Sequence, residues 1–512
     1  MQTIKRIFRV DRKDINYLRS TIESYDGTAV VRTLDPLVAF IEIQISPGCE
    51  ELVSELLDYL KKGEGIDLVE KDASRTFFIT TMGCQMNDCD SDYLAQSLGH
   101  LGLSPVDDPN DAYLILINTC TVRAKAEQKA FSHLGRMSVI KRRKPEIILG
   151  VVGCMAQQQG TELIKRFPQI DFVMGPRELG RIQEVLNRIG SDRQRVVATD
   201  LNPAPPSQIP FRGYFEGRVT GYISIMQGCN NFCTYCIVPY VRGREISRSP
   251  DDIIAEARNL ITEGVKEITL LGQNVNSYRW EGEKRWDFVS LLREVSGLNG
   301  LLRLRFTTSH PKDLSDELIQ CFVYLNNLCP HLHLPLQAGS NSVLKRMKRG
   351  YTREHYIDLI AKLRSTNPDI AITSDIMVGF PGESENEFSE TLDLIGQVRF
   401  DAIFSFKYSD RKGTFAYKLN EKVDETEKAS RLSVLQNLQR QITLEKNRAL
   451  EGKQMEVLVE GQSKKGRQLT GRTGTNKVVN FDCDSRYIGC LVKLSIKHGL
   501  QNSLQGEIEK TI

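Results

Sequence analysis

The sequence lacks any run of about 18 apolar residues, so no membrane-spanning helix is expected. It also lacks the marks of a signal peptide. Residues 1–10 are basic and apolar, but neither a long apolar stretch nor a small-residue cleavage site follows, and a cytoplasmic location is expected. An excess of charge of one sign is missing too. The 512 residues carry a formal net charge of only +3, so any case for a nucleic-acid partner must be local. No internal repeat is visible.

What the sequence does have is cysteine, twelve in all. In a cytosolic chain disulfides are rare, so spaced cysteines point to metal or to catalysis. With 40% hydrophobic and 26% charged residues the composition is that of an ordinary globular protein, long enough for three to four domains.

Hydrophobic patterning divides the chain. Residues 1–72 read as strand, helix, strand, strand, helix, strand, the order of a ferredoxin-like α+β unit with no evident chemistry. Residues 75–192 alternate strand and helix, with apolar runs at 77–80, 113–117 and 147–152, which predicts a Rossmann-like three-layer α/β domain on a parallel sheet. Residues 193–220 hold Pro203, Pro205, Pro206 and Pro210 among polar residues and read as a linker. Residues 221–447 alternate again, with strands expected near 222–227, 267–271, 302–306, 331–334, 370–376 and 402–406, a partial (β/α)6 barrel. Residues 449–512 show strand-like runs at 455–460, 477–481 and 491–496, as in a small OB-like β-barrel.

Two cysteine trios stand out. Cys229, Cys233 and Cys236 lie in one loop after the first strand expected in the larger domain. Their spacing lets three thiolates converge on a compact metal centre. A structural zinc site takes four protein ligands, and a 4Fe–4S cluster normally takes four thiolates. Three thiolates would leave one iron open for a reacting molecule. The competing reading is zinc, completed by a distant cysteine or histidine.

Cys84, Cys120 and Cys154 are far apart, yet each follows an expected strand. One strand–helix–strand step takes roughly 30 or more residues, and loops after parallel strands share one sheet edge. The spacing therefore predicts all three thiols at the carboxyl edge of neighbouring strands. Taken singly, each also reads as a core cysteine. Cys49, Cys89, Cys321, Cys329, Cys483 and Cys490 show no ligand spacing.

The motifs make the reading more specific. Cys-x3-Cys-x2-Cys at Cys229–Cys236 resembles the radical S-adenosylmethionine superfamily. With Thr81-Met82-Gly83-Cys84-Gln85-Met86-Asn87, Asn118-Thr119-Cys120-Thr121-Val122-Arg123, Val241-Arg242-Gly243-Arg244-Glu245, Leu270-Leu271-Gly272-Gln273-Asn274-Val275, Arg305-Phe306-Thr307-Thr308-Ser309-His310-Pro311 and His333-Leu334-Pro335-Leu336-Gln337, residues 75–512 resemble the methylthiotransferase family. Gly83-Cys84-Gln85-Met86-Asn87 is similar to its MiaB-type branch, which methylthiolates C2 of N6-dimethylallyladenosine at position 37 of tRNA. The resemblance implies two 4Fe–4S clusters, one on Cys229, Cys233 and Cys236 and one on Cys84, Cys120 and Cys154. It implies S-adenosylmethionine as the source of a 5′-deoxyadenosyl radical, with Tyr235 toward the adenine, Gly272 and Gln273 toward the methionine end, and Thr308 and Ser309 toward the ribose. It implies an α/β domain that caps the barrel mouth, a sulfur atom carried by the second cluster, and a C-terminal TRAM module that binds RNA. An electron donor such as flavodoxin or ferredoxin, a sulfur donor and a monomeric chain are further expectations. The family's Tyr-Ser-Pro-Arg-Pro-Gly-Thr appears as Tyr408-Ser409-Asp410-Arg411-Lys412-Gly413-Thr414, without either proline, which predicts a looser loop.

Lys464, Lys465, Arg467, Arg472 and Lys477 form a basic stretch with no acidic residue, suited to an RNA backbone or to plain solvent. The basic runs at 141–144 and 345–349 read as exposed helix faces able to grip a tRNA stem. Two alternatives remain open from the sequence. One is the same chemistry on threonylcarbamoyl adenosine or a ribosomal protein; the other is a zinc-stabilised, non-enzymatic RNA-binding protein.

Overall fold

The computed structural model describes residues 3–35, 39–70, 75–121, 124–192, 194–203, 214–215, 217–463, 466 and 468–508. The chain forms two compact units, Met1–Tyr214 and Phe215–Ile512. Among the described residues no helix is long and apolar enough to cross a membrane.

The first unit begins with a four-stranded antiparallel sheet in the order Ala29–Asp35, Phe40–Ile45, Ile4–Arg9, Val69–Glu70. Helices Ile15–Glu23 and Glu50–Gly63 carry apolar residues at helical spacing, Leu18 and Ile22 on one, Val53, Leu57 and Leu60 on the other. These pack with Phe8, Val31, Ile41, Ile43 and Ile45 into one core, the expected ferredoxin-like unit.

A six-stranded parallel sheet follows, in the order Val196–Ala198, Phe172–Met174, Ile148–Gly153, Leu114–Thr119, Thr76–Met82, Ser104–Pro105. Strand Leu114–Thr119 is buried along its whole length. Its Leu114 and Leu116 join one core with Leu94 and Leu98; its Ile115 and Ile117 join another with Ala130 and Leu134. Alternate residues thus face opposite helical layers, which is why this strand is apolar without interruption.

In the second unit the six expected barrel strands are present as two three-stranded parallel sheets. One runs Thr220–Ser224, Glu267–Leu271, Arg303–Thr307; the other runs His331–His333, Ala371–Val378, Ala402–Lys407. Between them run a bridge from Leu304 to Leu328 and a hydrogen bond from the Ser309 N–H to the His333 carbonyl at 3.4 Å. Pro330 stands just before strand His331–His333, and a proline has no N–H for a ladder, so pairing stops there. A short hairpin, Arg279–Glu281 with Arg285–Asp287, is an addition that the patterning does not reveal.

Helix Glu425–Arg448 leads to a closed five-stranded barrel: Gln454–Gln462, Leu469–Thr473, Val478–Phe481, Leu504–Ile508, Leu491–Gly499. Two of these strands, Leu469–Thr473 and Leu504–Ile508, were not expected. Each is five residues long with a central glycine, too short and polar to read as a strand. The barrel is held to the preceding domain by two buried guanidinium groups. Arg303 donates to the carbonyl oxygens of Arg472 at 2.5 Å and Glu456 at 3.0 Å, and Arg305 to those of Thr473 at 2.8 Å and Gly474 at 2.9 Å.

Candidate functional site: two thiol trios

Strands Thr76–Met82, Leu114–Thr119 and Ile148–Gly153 are neighbours in the parallel sheet, with Met82 opposite Thr119 and Thr119 opposite Gly153. Cys120 and Cys154 each stand one residue past this shared line, and Cys84 two residues past it. The ladder thereby delivers three thiols to one sheet edge. Cys120 and Cys154 are buried, Cys84 is exposed, and none of the twelve cysteines is in a disulfide. Cys84 caps helix Gln85–His100.

A polar clasp fixes the loops. The Asn87 amide donates to Asn118 Oδ1 at 2.9 Å and the Thr119 carbonyl at 3.3 Å, while Asn118 donates to the Asn87 carbonyl at 2.8 Å. Asn87 Oδ1 accepts from the Cys84 N–H at 3.3 Å and from its thiol at 3.4 Å. Thr119 Oγ1 donates to the Val152 carbonyl at 2.8 Å, tying the second loop to the third. Gly153 has φ +96, and a Cβ there would sit 2.5 Å from the Thr119 carbonyl oxygen, so only glycine lets the strands approach this closely.

In the second unit, Gly228 opens the other cysteine loop at φ +86, where a Cβ would fall 2.1 Å from the Arg244 carbonyl oxygen. The Gly228 N–H donates to Gln273 Oε1 at 2.5 Å, and the Cys229 N–H to the Gly243 carbonyl at 3.2 Å. Further along, Thr234 binds the carbonyl oxygens of Met347 at 3.1 Å and Arg346 at 2.9 Å. Two donors reach the sulfurs themselves: the Asn231 N–H lies 3.5 Å from Cys229 Sγ, and Arg349 Nη1 lies 3.4 Å from Cys233 Sγ. Burial pushes the Cys229 thiol up and the Cys236 thiol up to about 12. A metal bound there would take these thiols as thiolates, its charge replacing the missing solvation.

The residues expected around S-adenosylmethionine lie at the carboxyl ends of strands in this unit. Gly272 follows Glu267–Leu271, and a Cβ there would meet Met226 Cγ at 2.6 Å. Thr308 has φ +71, and its carbonyl accepts from the Val275 N–H at 3.0 Å. Ser309 Oγ, Gln337 Oε1 and Asn274 Oδ1 are buried with no hydrogen-bond partner in the protein. Orphaned polar atoms at this edge fit a polar cofactor, since a buried group left unpaired is costly. Tyr235 sits between Cys233 and Cys236, and burial raises its hydroxyl well above the usual tyrosine value.

Known proteins resemble the chain over both regions. Residues 223–395 match the radical SAM superfamily, 76–175 the uncharacterized protein family UPF0004, 448–508 the TRAM domain, and 8–63 a domain of unknown function, DUF4911. The tRNA-2-methylthio-N(6)-dimethylallyladenosine synthase of Syntrophus aciditrophicus is 51% identical over 432 residues, 84% of this chain and 94% of that protein. The synthase of the same name from Geotalea uraniireducens is 48% identical over 85% of this chain and 99% of that protein. The chain belongs to the tRNA-2-methylthio-N(6)-dimethylallyladenosine synthase family. Among solved structures, the radical S-adenosylmethionine methyltransferase TsrM of Kitasatospora setae covers 65% of this chain and 75% of its own, at 16% identity and a TM-score of 0.49.

The synthase family uses 4Fe–4S clusters and S-adenosylmethionine, and each trio offers thiols of the kind such a cluster takes, although among the described residues no three His, Cys, Asp or Glu side chains are gathered closely enough to hold a metal ion. Arg349 is the residue that sequence reasoning missed. The run at 345–349 was expected on an exposed face, but Arg349 is only 5% exposed and Arg346 pairs with Glu387 at 2.9 Å. Gln337 also went without a role, although it ends a motif noted above. Of the basic stretch, Lys464, Lys465 and Arg467 lie outside the described residues. Arg472 pairs with Glu460 at 3.1 Å, and Lys477 with Asp401 at 3.3 Å, so both are committed to carboxylates that lie elsewhere in the sequence. The loop without prolines is held otherwise: Asp410 accepts from Tyr408 Oη at 2.9 Å and from Lys422 at 2.6 Å.

Proposed function

We propose that the chain converts the C2–H bond of N6-dimethylallyladenosine at position 37 of tRNA into a C–S–CH3 group. The observation that carries this reading is the second thiol trio, Cys84, Cys120 and Cys154, at the ends of three adjacent strands. Generating a radical needs only the first trio; a sulfur insertion needs somewhere to keep sulfur. The names of the relatives point to the same substrate.

Cys229, Cys233 and Cys236 would hold one 4Fe–4S cluster, and Cys84, Cys120 and Cys154 the other. When bound, these groups and S-adenosylmethionine supply one-electron bond cleavage and a transferable sulfur. The chain's own residues position and exclude. Gln273 fixes the entry to the first cysteine loop, Gly272 leaves room for Met226 at that edge, and Thr308, Ser309 and Tyr235 would line the cofactor side. No side-chain base is required, because none has a pKa suited to an unactivated C–H bond. Residues 1–72 form an accessory domain, 75–192 carry the second trio, 193–220 link, 221–447 form the radical core and 449–512 bind RNA. A reduced flavodoxin or ferredoxin, a sulfur donor, a monomeric state and a cytoplasmic setting complete the reading.

Mass spectrometry of tRNA nucleosides from a deletion strain tests it. Loss of 2-methylthio-N6-dimethylallyladenosine with accumulation of N6-dimethylallyladenosine is expected. Loss of the methylthio form of threonylcarbamoyl adenosine instead would move the chain to the rival substrate. Zinc in place of iron in anaerobically purified protein would favour the non-enzymatic alternative.

A further inference from the structure

We infer that a polar cleft between the last barrel strand, helix Glu425–Arg448 and the C-terminal β-barrel receives one unstacked nucleotide of the tRNA, distinct from the adenosine that is modified. The inference rests on the reading that tRNA is the substrate. The cleft has a volume of about 490 Å³, within the roughly 300–1,000 Å³ typical of small-ligand pockets.

Its lining is rich in side-chain amides: Gln436, Gln439, Asn447, Asn476, Gln501 and Asn502. Amides offer a donor and an acceptor side by side, which is what the Watson–Crick edge of a splayed-out base requires. Gln439 makes the site more than a groove. It is 7% exposed, and its Nε2 donates to the Phe400 carbonyl and to Thr443 Oγ1, both at 2.9 Å. Its Oε1 is buried with no partner, an acceptor placed for an amino or imino group. Ile403 and Val478 give the same cleft two apolar surfaces for a base to lie on.

The charges suit a nucleotide as well. The lining holds two cations, Arg440 and Lys477, and a single carboxylate, Asp401. That carboxylate is already taken by Lys446 at 2.6 Å and Lys477 at 3.3 Å. The local balance is therefore positive, as a phosphate needs. Lys477, expected in a basic stretch suited to an RNA backbone or to plain solvent, lines this cleft.

The test is a double variant, Gln436→Glu with Gln501→Glu, which places two carboxylates where base and phosphate would lie. Gln436 is exposed and Gln501 partly exposed, so the fold should tolerate both, and an unchanged thermal midpoint checks this. Binding of unmodified tRNA, read by fluorescence anisotropy on the iron-loaded full chain, is expected to weaken by about tenfold or more. Cross-linking of a thiouridine-substituted tRNA to the 436–443 segment is expected in the wild type and lost in the variant. A variant that binds tRNA within about twofold of wild type overturns the cleft. So does an anisotropy change confined to a free mononucleotide, which would mark a small-molecule site instead. If the wild type forms the methylthio nucleoside while the variant's tRNA affinity is unchanged, the cleft alone fails. If the wild type binds tRNA through the cleft but forms no such nucleoside, the proposed function fails and the cleft stands.

Discussion

Arg349 donates a hydrogen bond from Nη1 to the Sγ of Cys233 at 3.4 Å, from a position 5% exposed. The same guanidinium donates to the Pro335 carbonyl at 2.9 Å and to Tyr351 Oη at 3.0 Å, so its direction is set by three partners. In the proposed site Cys233 would be a cluster ligand, and a cation held against its sulfur would favour the reduced, more negative state of that cluster.

Replacing Arg349 by methionine should therefore shift the midpoint potential of that cluster downward and make the cluster harder to reduce. Arg349→Lys keeps the charge but loses the fork, and should fall between methionine and wild type. Potentiometry followed by electron paramagnetic resonance reads the shift directly. Unchanged potentials in both variants would reduce Arg349 to a packing role.

The asparagine clasp should be as sensitive as the thiols it supports. Asn87→Ala removes the amide that joins Cys84 to the Asn118 and Thr119 loops and leaves buried groups unpaired, at a cost of about 1–3 kcal/mol. Denaturant unfolding of the variant should show that loss, and iron held by the first unit should fall with it. Full iron retention would mean that the thiols need no such support.

At Gly228 the expectation is stronger. Gly228→Ala would put a methyl group 2.1 Å from the Arg244 carbonyl oxygen at a φ of +86, so the loop that carries Cys229, Cys233 and Cys236 must shift. Cleavage of S-adenosylmethionine should be lost while tRNA binding remains. A variant with normal cleavage rates would show that the loop tolerates rearrangement.

His310 supplies a pH dependence. Burial, with Arg349 and Lys312 nearby, pushes its imidazole down to about 2. The neutral ring accepts from the Lys312 N–H at 3.3 Å. Because the folded value lies below the unfolded one, near 6.5, the unfolded chain binds the proton first as pH falls. The stabilising contribution is complete above about pH 6.5 and declines steadily below it. Urea unfolding between about pH 7 and 5 should show this slope in the wild type and a shallower one in His310→Gln. Equal slopes would assign the effect to other groups.

Much of this architecture is legible in the sequence. The apolar run at 114–119 announces a strand buried on both faces, and a parallel sheet then forces successive strand ends to one edge. That is enough to put Cys84, Cys120 and Cys154 at one sheet edge without any local motif. Other features depend on partners that pattern alone does not supply. Strand Leu469–Thr473 is recognisable only once Gln454–Gln462 and Val478–Phe481 flank it. The break between the two barrel sheets follows from one proline beside a three-residue strand. Arg349 sits in a run of five residues with four cations, which looks like solvent-facing charge. Only the fold turns that one side chain inward, toward a sulfur more than a hundred residues away. Lys477 is likewise paired by Asp401, a carboxylate no local window contains.

The central claim is that two separate thiol trios hold two clusters with different tasks. The most direct measurement compares the wild type with the triple variant Cys84→Ala, Cys120→Ala and Cys154→Ala after anaerobic reconstitution. Iron should fall from about eight to about four per chain, as loss of one of two four-iron clusters requires. Cleavage of S-adenosylmethionine should persist, and no methylthio nucleoside should form. A triple variant that keeps all its iron, or still methylthiolates tRNA, would contradict the account.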